Sequence, residues 1–219
     1  VMNRIFDDEM RLLRGARASR ERMRMQALTT GIVAMASNGQ AFTYDYGIPA
    51  ANKVTVQTAW SDHTNSDPIE DIRQLKENIY QSTGYVIERA MCDQATWRHI
   101  RANEKIKAEI FALKSTVGSI TDSMLREYIS DQLDGLVVKV NEKRYVDETG
   151  TTVAFMPADT FVMFPGTALG KTWFGTTPAE SDLMTGNAAN VSITETGVAV
   201  VTHQKVDPVQ VETIVSMIC

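Results

Sequence analysis

The sequence predicts an α+β protein, and three observations carry that prediction. Residues 1–28 repeat apolar positions at three- and four-residue steps, the period of a helix. Residues 32–60 hold short alternating runs broken by turn residues, the pattern of a small antiparallel sheet. From Tyr85 onward, helical and strand-like segments follow one another, as in a mixed lobe of helices and strands.

In the first segment Met2, Ile5, Leu12, Ala16, Met23 and Ala27 form a thin apolar line. The rest is dense with charge. Asp7, Asp8 and Glu9 come first, then Arg11, Arg14, Arg17, Arg20, Arg22 and Arg24, an order that suits the helix dipole. At about 1.5 Å per residue such a helix runs about 40 Å, long for one globular domain.

A strand at residues 32–36 is followed by Asn38-Gly39, a strong hairpin signal because both central residues of the tight turn need positive φ. Residues 41–46 return as its partner, with Phe42, Tyr44 and Tyr46 on one face. Residues 53–60 read as a third strand through Val54, Val56 and Trp60, and the polar stretch 61–66 reads as a loop. Asp67 and Pro68 then open a helix, one as cap and one in the first turn, and Gly84 ends it.

The second half opens with a strand at residues 85–91 and a helix capped by Asp93. Residues 105–113 fit helix or strand. Thr121 or Asp122 caps a further helix that turns Leu125, Ile129 and Leu133 inward and stops at Gly135. A buried strand at 136–140, a hairpin around Thr149-Gly150, and a strand at 160–164 follow. Residues 166 to about 190 read as a loop-rich region, and strands at 198–202 and 209–217 finish the chain.

Composition narrows the function. The 219 residues are 43% hydrophobic and 22% charged, which suits a globular chain that folds without disulfides or metals. The net charge of −5 excludes a bulk positive field, though not a local basic patch. Two distant cysteines, Cys92 and Cys219, do not make a secreted disulfide framework, and no segment reads as a signal peptide or membrane span. An intracellular, reducing setting is expected. The start at Val1 inside a helix and the stop at Cys219 inside a strand suggest missing native sequence on both sides.

The strongest enzyme-like signal is the run from Gly166 to Thr172, which holds Gly170, Lys171 and Thr172 after an apolar strand. It approaches a phosphate-binding loop but places only three residues between its glycines. The required spacing falls on Pro165, which has no N–H to offer. No helix-forming segment follows, so an ordered loop is the expectation. His63, His99 and His203 lack zinc-ligand spacing, and Cys92 has no local histidine to activate it. Glu70 and Asp71 sit where acids favour a helix N-terminus. The arginine series is the candidate contact surface, for phosphate or for acidic patches on neighbouring subunits. It lacks interleaved aromatics for base stacking.

The order of short segments resembles the major capsid protein family of tailed bacteriophages typified by the phage lambda shell protein. The resemblance runs from Arg4 to Met10, through Tyr44-Asp45-Tyr46-Gly47, Trp60-Ser61-Asp62, the helix opener Asp67 to Ile72, and Thr83-Gly84-Tyr85. It continues through Met163-Phe164-Pro165 and the run Gly170 to Thr177. It implies the tailed-phage and herpesvirus type of capsid fold: a long spine helix beside a narrow antiparallel sheet, plus an axial domain with a mixed sheet flanked by helices.

On that pattern residues 1–84 form a peripheral domain with spine helix 1–28, hairpin strands and helix 68–83. Residues 85–205 form the axial domain and 206–219 a returning strand. On the same pattern, the family's N-terminal arm and extended hairpin are expected to lie outside this sequence. The resemblance implies a non-enzymatic shell protein without cofactors or metal, in the virion capsid and in the host bacterial cytoplasm during assembly. Its partners would be copies of itself in pentamers and hexamers, scaffold and decoration proteins, and packaged DNA indirectly, with no membrane. Two alternatives are a nucleotide-binding enzyme using residues 166–172 and an encapsulin-like compartment shell protein.

Overall fold

The computed structural model describes residues 2–37, 40–113, 119–147, 149–184, 191–195, 197–206 and 209–217. They form two units, one of residues 24–169 and one of residues 1–23 with 170–219. The boundary expected after Gly84 falls inside the first of these.

The long helix α1 (Met2–Thr29) forms as the apolar spacing predicts. It ends because Gly31 takes φ +73°, and its N–H reaches back to the Gln26 and Ala27 carbonyls. A Cβ there would lie 2.6 Å from the Ile48 side chain, so the position needs glycine both for its angle and for its space.

In the unit of residues 24–169, β1 (Ile32–Ser37) pairs antiparallel with β2 (Gln40–Asp45), from Ile32↔Asp45 to Ser37↔Gln40. The predicted turn residues Asn38 and Gly39 lie outside the described residues. Residues 53–60 do not form the expected third strand: they follow a single 3-10 turn at Ala50–Asn52 and remain irregular. Of the alternating residues, Trp60 anchors the segment. Trp60 donates its indole N–H to Asp71 Oδ2 at 2.8 Å and meets the Phe161 ring edge-on at 5.4 Å.

Helix α2 (Pro68–Thr83) matches its caps. Asp67 accepts from the Glu70 N–H, Pro68 occupies the first turn, and Gly84 is left-handed at φ 75°. Next come β3 (Ile87–Cys92), α3 (Gln94–Ala102) capped by Asp93, α4 (Glu104–Leu113), α5 (Asp122–Gln132) capped by Thr121, and β4 (Val137–Val140). The ambiguous stretch 105–113 is therefore helix, with Ile106 and Ile110 one turn apart and buried. β5 (Arg144–Val146) and β6 (Thr152–Ala154) make the expected hairpin, and β7 (Phe161–Pro165) completes a sheet ordered β4-β3-β7.

That sheet is mixed: β3 runs parallel to β4 and antiparallel to β7. A parallel neighbour needs a long crossover, which α3, α4 and α5 supply. Trp97, Ile100, Ile106, Ile110, Leu125 and Ile129 from those helices pack with Ile87, Ala90 and Val138 of the sheet, and with Ile69 and Ile72 of α2, in one core. At about 25 cal/mol per Å² of apolar area buried, this core is the main stabilising term of the unit.

The other unit is built on an antiparallel sheet, β8 (Val191–Glu195), β9 (Val198–Val206) and β10 (Val209–Met217), with β9 central. Leu13 of α1 packs with Val198 and Val200, and Val215 and Met217 join them. The sheet holding α1's buried leucine is thus the C-terminal one. Helix α6 (Pro178–Met184) lies within the stretch 166–190 that the sequence reads as loop-rich. Thr177 Oγ1 accepts from the Glu180 N–H at 3.2 Å, and Glu180 Oε2 accepts from the Thr177 N–H at 2.8 Å. This reciprocal cap satisfies two donors at the start of the helix.

Candidate functional site

The arginine series lies on α1, and helical geometry decides what it can do. Arg11, Arg14, Arg17 and Arg20 step by three residues, which is 60° short of a full turn each time. Over nine residues the series swings about 180° around the axis. Arg11 and Arg20 therefore face opposite sides, so the six residues do not make one strip. Arg11, Arg14 and Arg17 are exposed and spread over neighbouring directions, while Arg20 and Arg22 are half-buried and Arg24 is exposed. Arg20 places its guanidinium 5.6 Å from the centre of the Phe174 ring, a cation–π contact within its own unit. The outward basic surface accordingly centres on Arg11, Arg14 and Arg17. Exposed Met10 and Leu12 lie beside it.

The run from Gly166 to Thr172 forms no phosphate cradle. β7 ends at Pro165, and no helix begins before Pro178. The start of the loop instead displays acceptors and a carboxylate. Arg89 of β3 donates through Nη2 to the carbonyls of Pro165 and Thr167, each at 2.8 Å, with its guanidinium 5.1 Å from the Phe164 ring centre. Glu88 lies where the β3–β7 register shifts, and its Oε2 is 1.9 Å from where a Cβ on Gly166 would stand. A phosphate site needs converging N–H groups at a helix N-terminus. Here carbonyl oxygens bind an arginine and a carboxylate fills the space beside the first glycine. Lys171 and Thr172 are exposed.

Other expected positions are occupied structurally. Glu70 accepts from Gln74 at 3.0 Å and from Arg73 at 2.6 Å, and the hydrogen bonds from Gln74 and then Arg73 hold its carboxyl below the usual range. Asp71 accepts the hydrogen bond of the Trp60 indole N–H. Cys92 is fully buried, and burial, with the Asp93 charge beside it, pushes its thiol up to about 12. That is the opposite of an activated nucleophile. Cys219 and the side chain of His203 lie outside the described residues. Among the described residues no group of three or more His, Cys, Asp or Glu could hold a metal ion, and no helix is long and apolar enough to cross a membrane.

One pairing has no local sequence signal. His63 Nε2 and His99 Nδ1 stand 3.1 Å apart, 36 positions apart in the chain. The β1–β2 ribbon also leaves Phe42, Tyr44 and Tyr46 exposed on the face that the alternation predicts, with Tyr44 and Tyr46 in edge contact at 4.9 Å.

The architecture, a long helix with small sheets and a mixed three-stranded sheet crossed by helices, belongs to the class of phage capsid folds. It superposes on a crystal structure described as a prophage capsid protein (E. coli CFT073) with a TM-score of 0.63 at 19% identity, over 97% of this chain and 62% of that one. A phage-related protein from Bordetella bronchiseptica RB50 is similar at a TM-score of 0.50 and 15% identity, over 94% of this chain and 60% of that one. This chain thus spans about three fifths of each neighbour's length. No curated protein sequence matches it significantly. The family model for phage major capsid protein E matches residues 1–217, and the chain belongs to that family.

Proposed function

We propose that this chain is the shell-forming part of a tailed-phage or prophage major capsid protein, and that the whole protein assembles without catalysing a reaction. The observation that carries this reading is the family match over residues 1–217. The loop chemistry supports it from the other side, because the Gly166–Thr172 segment begins with carbonyls clamped by Arg89 and a carboxylate beside Gly166. Neither the nucleotide-binding reading nor the encapsulin-like one is favoured by the family match.

In this reading the partners are copies of the same chain in pentamers and hexamers, with scaffold and decoration proteins during assembly and packaged DNA inside. The protein resides in the virion capsid, after assembly in the host bacterial cytoplasm. Residues 1–84 belong to the peripheral part and the lobe from Tyr85 to the axial part. One change to the expected boundaries accompanies this. β9 runs to Val206 and pairs with β10 from Val209↔Val206 to Met217↔Val198, so the two strands are assigned to one domain rather than parted at residue 205. The exposed Arg11, Arg14 and Arg17 are assigned to contacts with neighbouring copies or with DNA.

Negative-stain microscopy of the full-length product, expressed alone and with its upstream neighbours, tests this. Closed shells or ring-shaped capsomers are expected, and a monodisperse monomer under all conditions overturns the proposal. Reversing Arg11, Arg14 and Arg17 to Glu in the same protein should reduce particle yield. Unchanged assembly and packaging would remove the arginines from it.

A further inference from the structure

We propose that the loop carrying Lys171 and Trp173 docks in the groove between α4 and α5 of a second copy of this chain, with the Trp173 ring against Leu113 and Met124 and the Lys171 ammonium against Asp131. The inference rests on the shell-forming reading and names one contact between copies within it.

The loop is anchored at both ends. At its start Arg89 donates through Nε and Nη2 to the Pro165 carbonyl, at 3.2 and 2.8 Å, and through Nη2 to the Thr167 carbonyl at 2.8 Å. At its end the Phe174 ring lies 5.6 Å from the Arg20 guanidinium, and buried Thr177 is held in its reciprocal cap with Glu180. Between these anchors Lys171 is exposed and Trp173 is 80% exposed. A large aromatic ring buries about 150–250 Å² when covered, and tryptophan is enriched at the energetic centres of interfaces. An indole held out in water by a fixed loop is a contact waiting for its other half.

The groove supplies that half. Ile110 and Leu113 of α4 and Met124 and Tyr128 of α5 give it an apolar wall, and Glu127 and Asp131 give it charge. Its volume is about 250 Å³, and Leu113 is 72% exposed. Small-molecule pockets hold roughly 300–1,000 Å³, so this groove is of side-chain rather than ligand size. Both charged residues of its lining are acidic, whereas the one charged residue between Gly166 and Thr177 is Lys171. Among the described residues neither Lys171 nor Asp131 takes part in an ion pair within the chain. Opposite charges on two surfaces that are otherwise apolar select the partner and fix the register.

Loop and groove are different patches of one chain, so the contact is head-to-tail, and it closes a ring where the rotation permits. One indole and its neighbours cover far less than the roughly 1,200 Å² of a stable pair. The contact therefore belongs to an assembly that repeats it, not to a free dimer.

The test uses particles assembled from equal amounts of light and heavy-isotope full-length protein, treated with a zero-length carbodiimide. A Lys171–Asp131 cross-linked peptide of mixed isotope is expected. Its absence, a pair of one isotope only, or Asp131 joined to a different lysine overturns the docking. K171E and D131K should each lower particle yield about tenfold with an unchanged melting temperature. The double variant should recover the yield to within about threefold. Full yield in K171E, or no recovery in the double variant, overturns the docking while the parent chain still forms shells. A parent chain that forms no shells overturns the shell-forming reading itself.

Discussion

Replacing Asn103 with Ala should be among the most costly polar substitutions in the unit of residues 24–169, and its size follows from three bonds. Asn103 is fully buried, and its Oδ1 accepts the Ile106 N–H at 3.2 Å, capping α4. Removing a cap of this kind costs about 1 kcal/mol. Its Nδ2 serves the Ser66 carbonyl and hydroxyl, and Ser66 is itself fully buried. Losing a donor while leaving a buried carbonyl unpaired costs about 1–3 kcal/mol. The expected total is about 3 kcal/mol, roughly a hundredfold in the unfolding constant. Urea unfolding followed by tryptophan fluorescence measures it, because Trp60 and Trp97 belong to the same unit. Ser66→Ala should cost about 1–2 kcal/mol, and the double variant less than the sum, since both remove the same bond. A loss below about 1 kcal/mol for Asn103→Ala, or single effects that add within about 0.5 kcal/mol, would refute this account of Asn103.

Further outcomes can be checked alongside. Cys92 should resist iodoacetamide at about pH 8 in the native chain and react only on unfolding, read at its own peptide by mass spectrometry. Gly84→Ala, at φ 75°, should cost about 1 kcal/mol in thermal or urea unfolding, while Ala at the exposed Arg73 should cost under about 1 kcal/mol. Tyr128 is buried and donates to Glu109, and burial first, then that bond, raise its phenol well above the ordinary value. Its stabilising effect is therefore complete below about pH 10, where the unfolded phenol ionises, and fades as pH climbs through the higher folded value. Tyr128→Phe should remove that alkaline loss from a pH series of melting temperatures.

Much of the fold was legible where local chemistry decides it. α2 was placed from its ends because Asp67, Pro68 and Gly84 each have one conformational role. The helices capped by Asp93 and Thr121 were readable for the same reason. Residues 53–60 misled because alternation alone cannot show whether a partner strand exists, and Val54 in fact lies open to solvent. α6 carried a usable signal in Thr177, Pro178 and Glu180, hidden by the turn-rich residues around it. The packing of Leu13 on β9 rests on contacts between distant parts of the chain, which no local pattern encodes. For the site, the arginines were visible as a series, but only the rotation per residue shows that Arg20 turns away from Arg11. The two facing histidines had no shared motif and were invisible as a pair.

Residues 24–169 interrupt the other unit, whose two pieces precede and follow them. The chain therefore passes between the units twice, once inside the continuous helix α1 and once after Leu169. A single protease cut cannot liberate either unit. Excising the inserted one requires scission within an intact helical turn as well as in the loop near Gly170. Circular permutants opened at that loop should thus keep both halves joined through the rod, whereas a break in the rod leaves the N-terminal stretch attached only by its packing on the C-terminal strands.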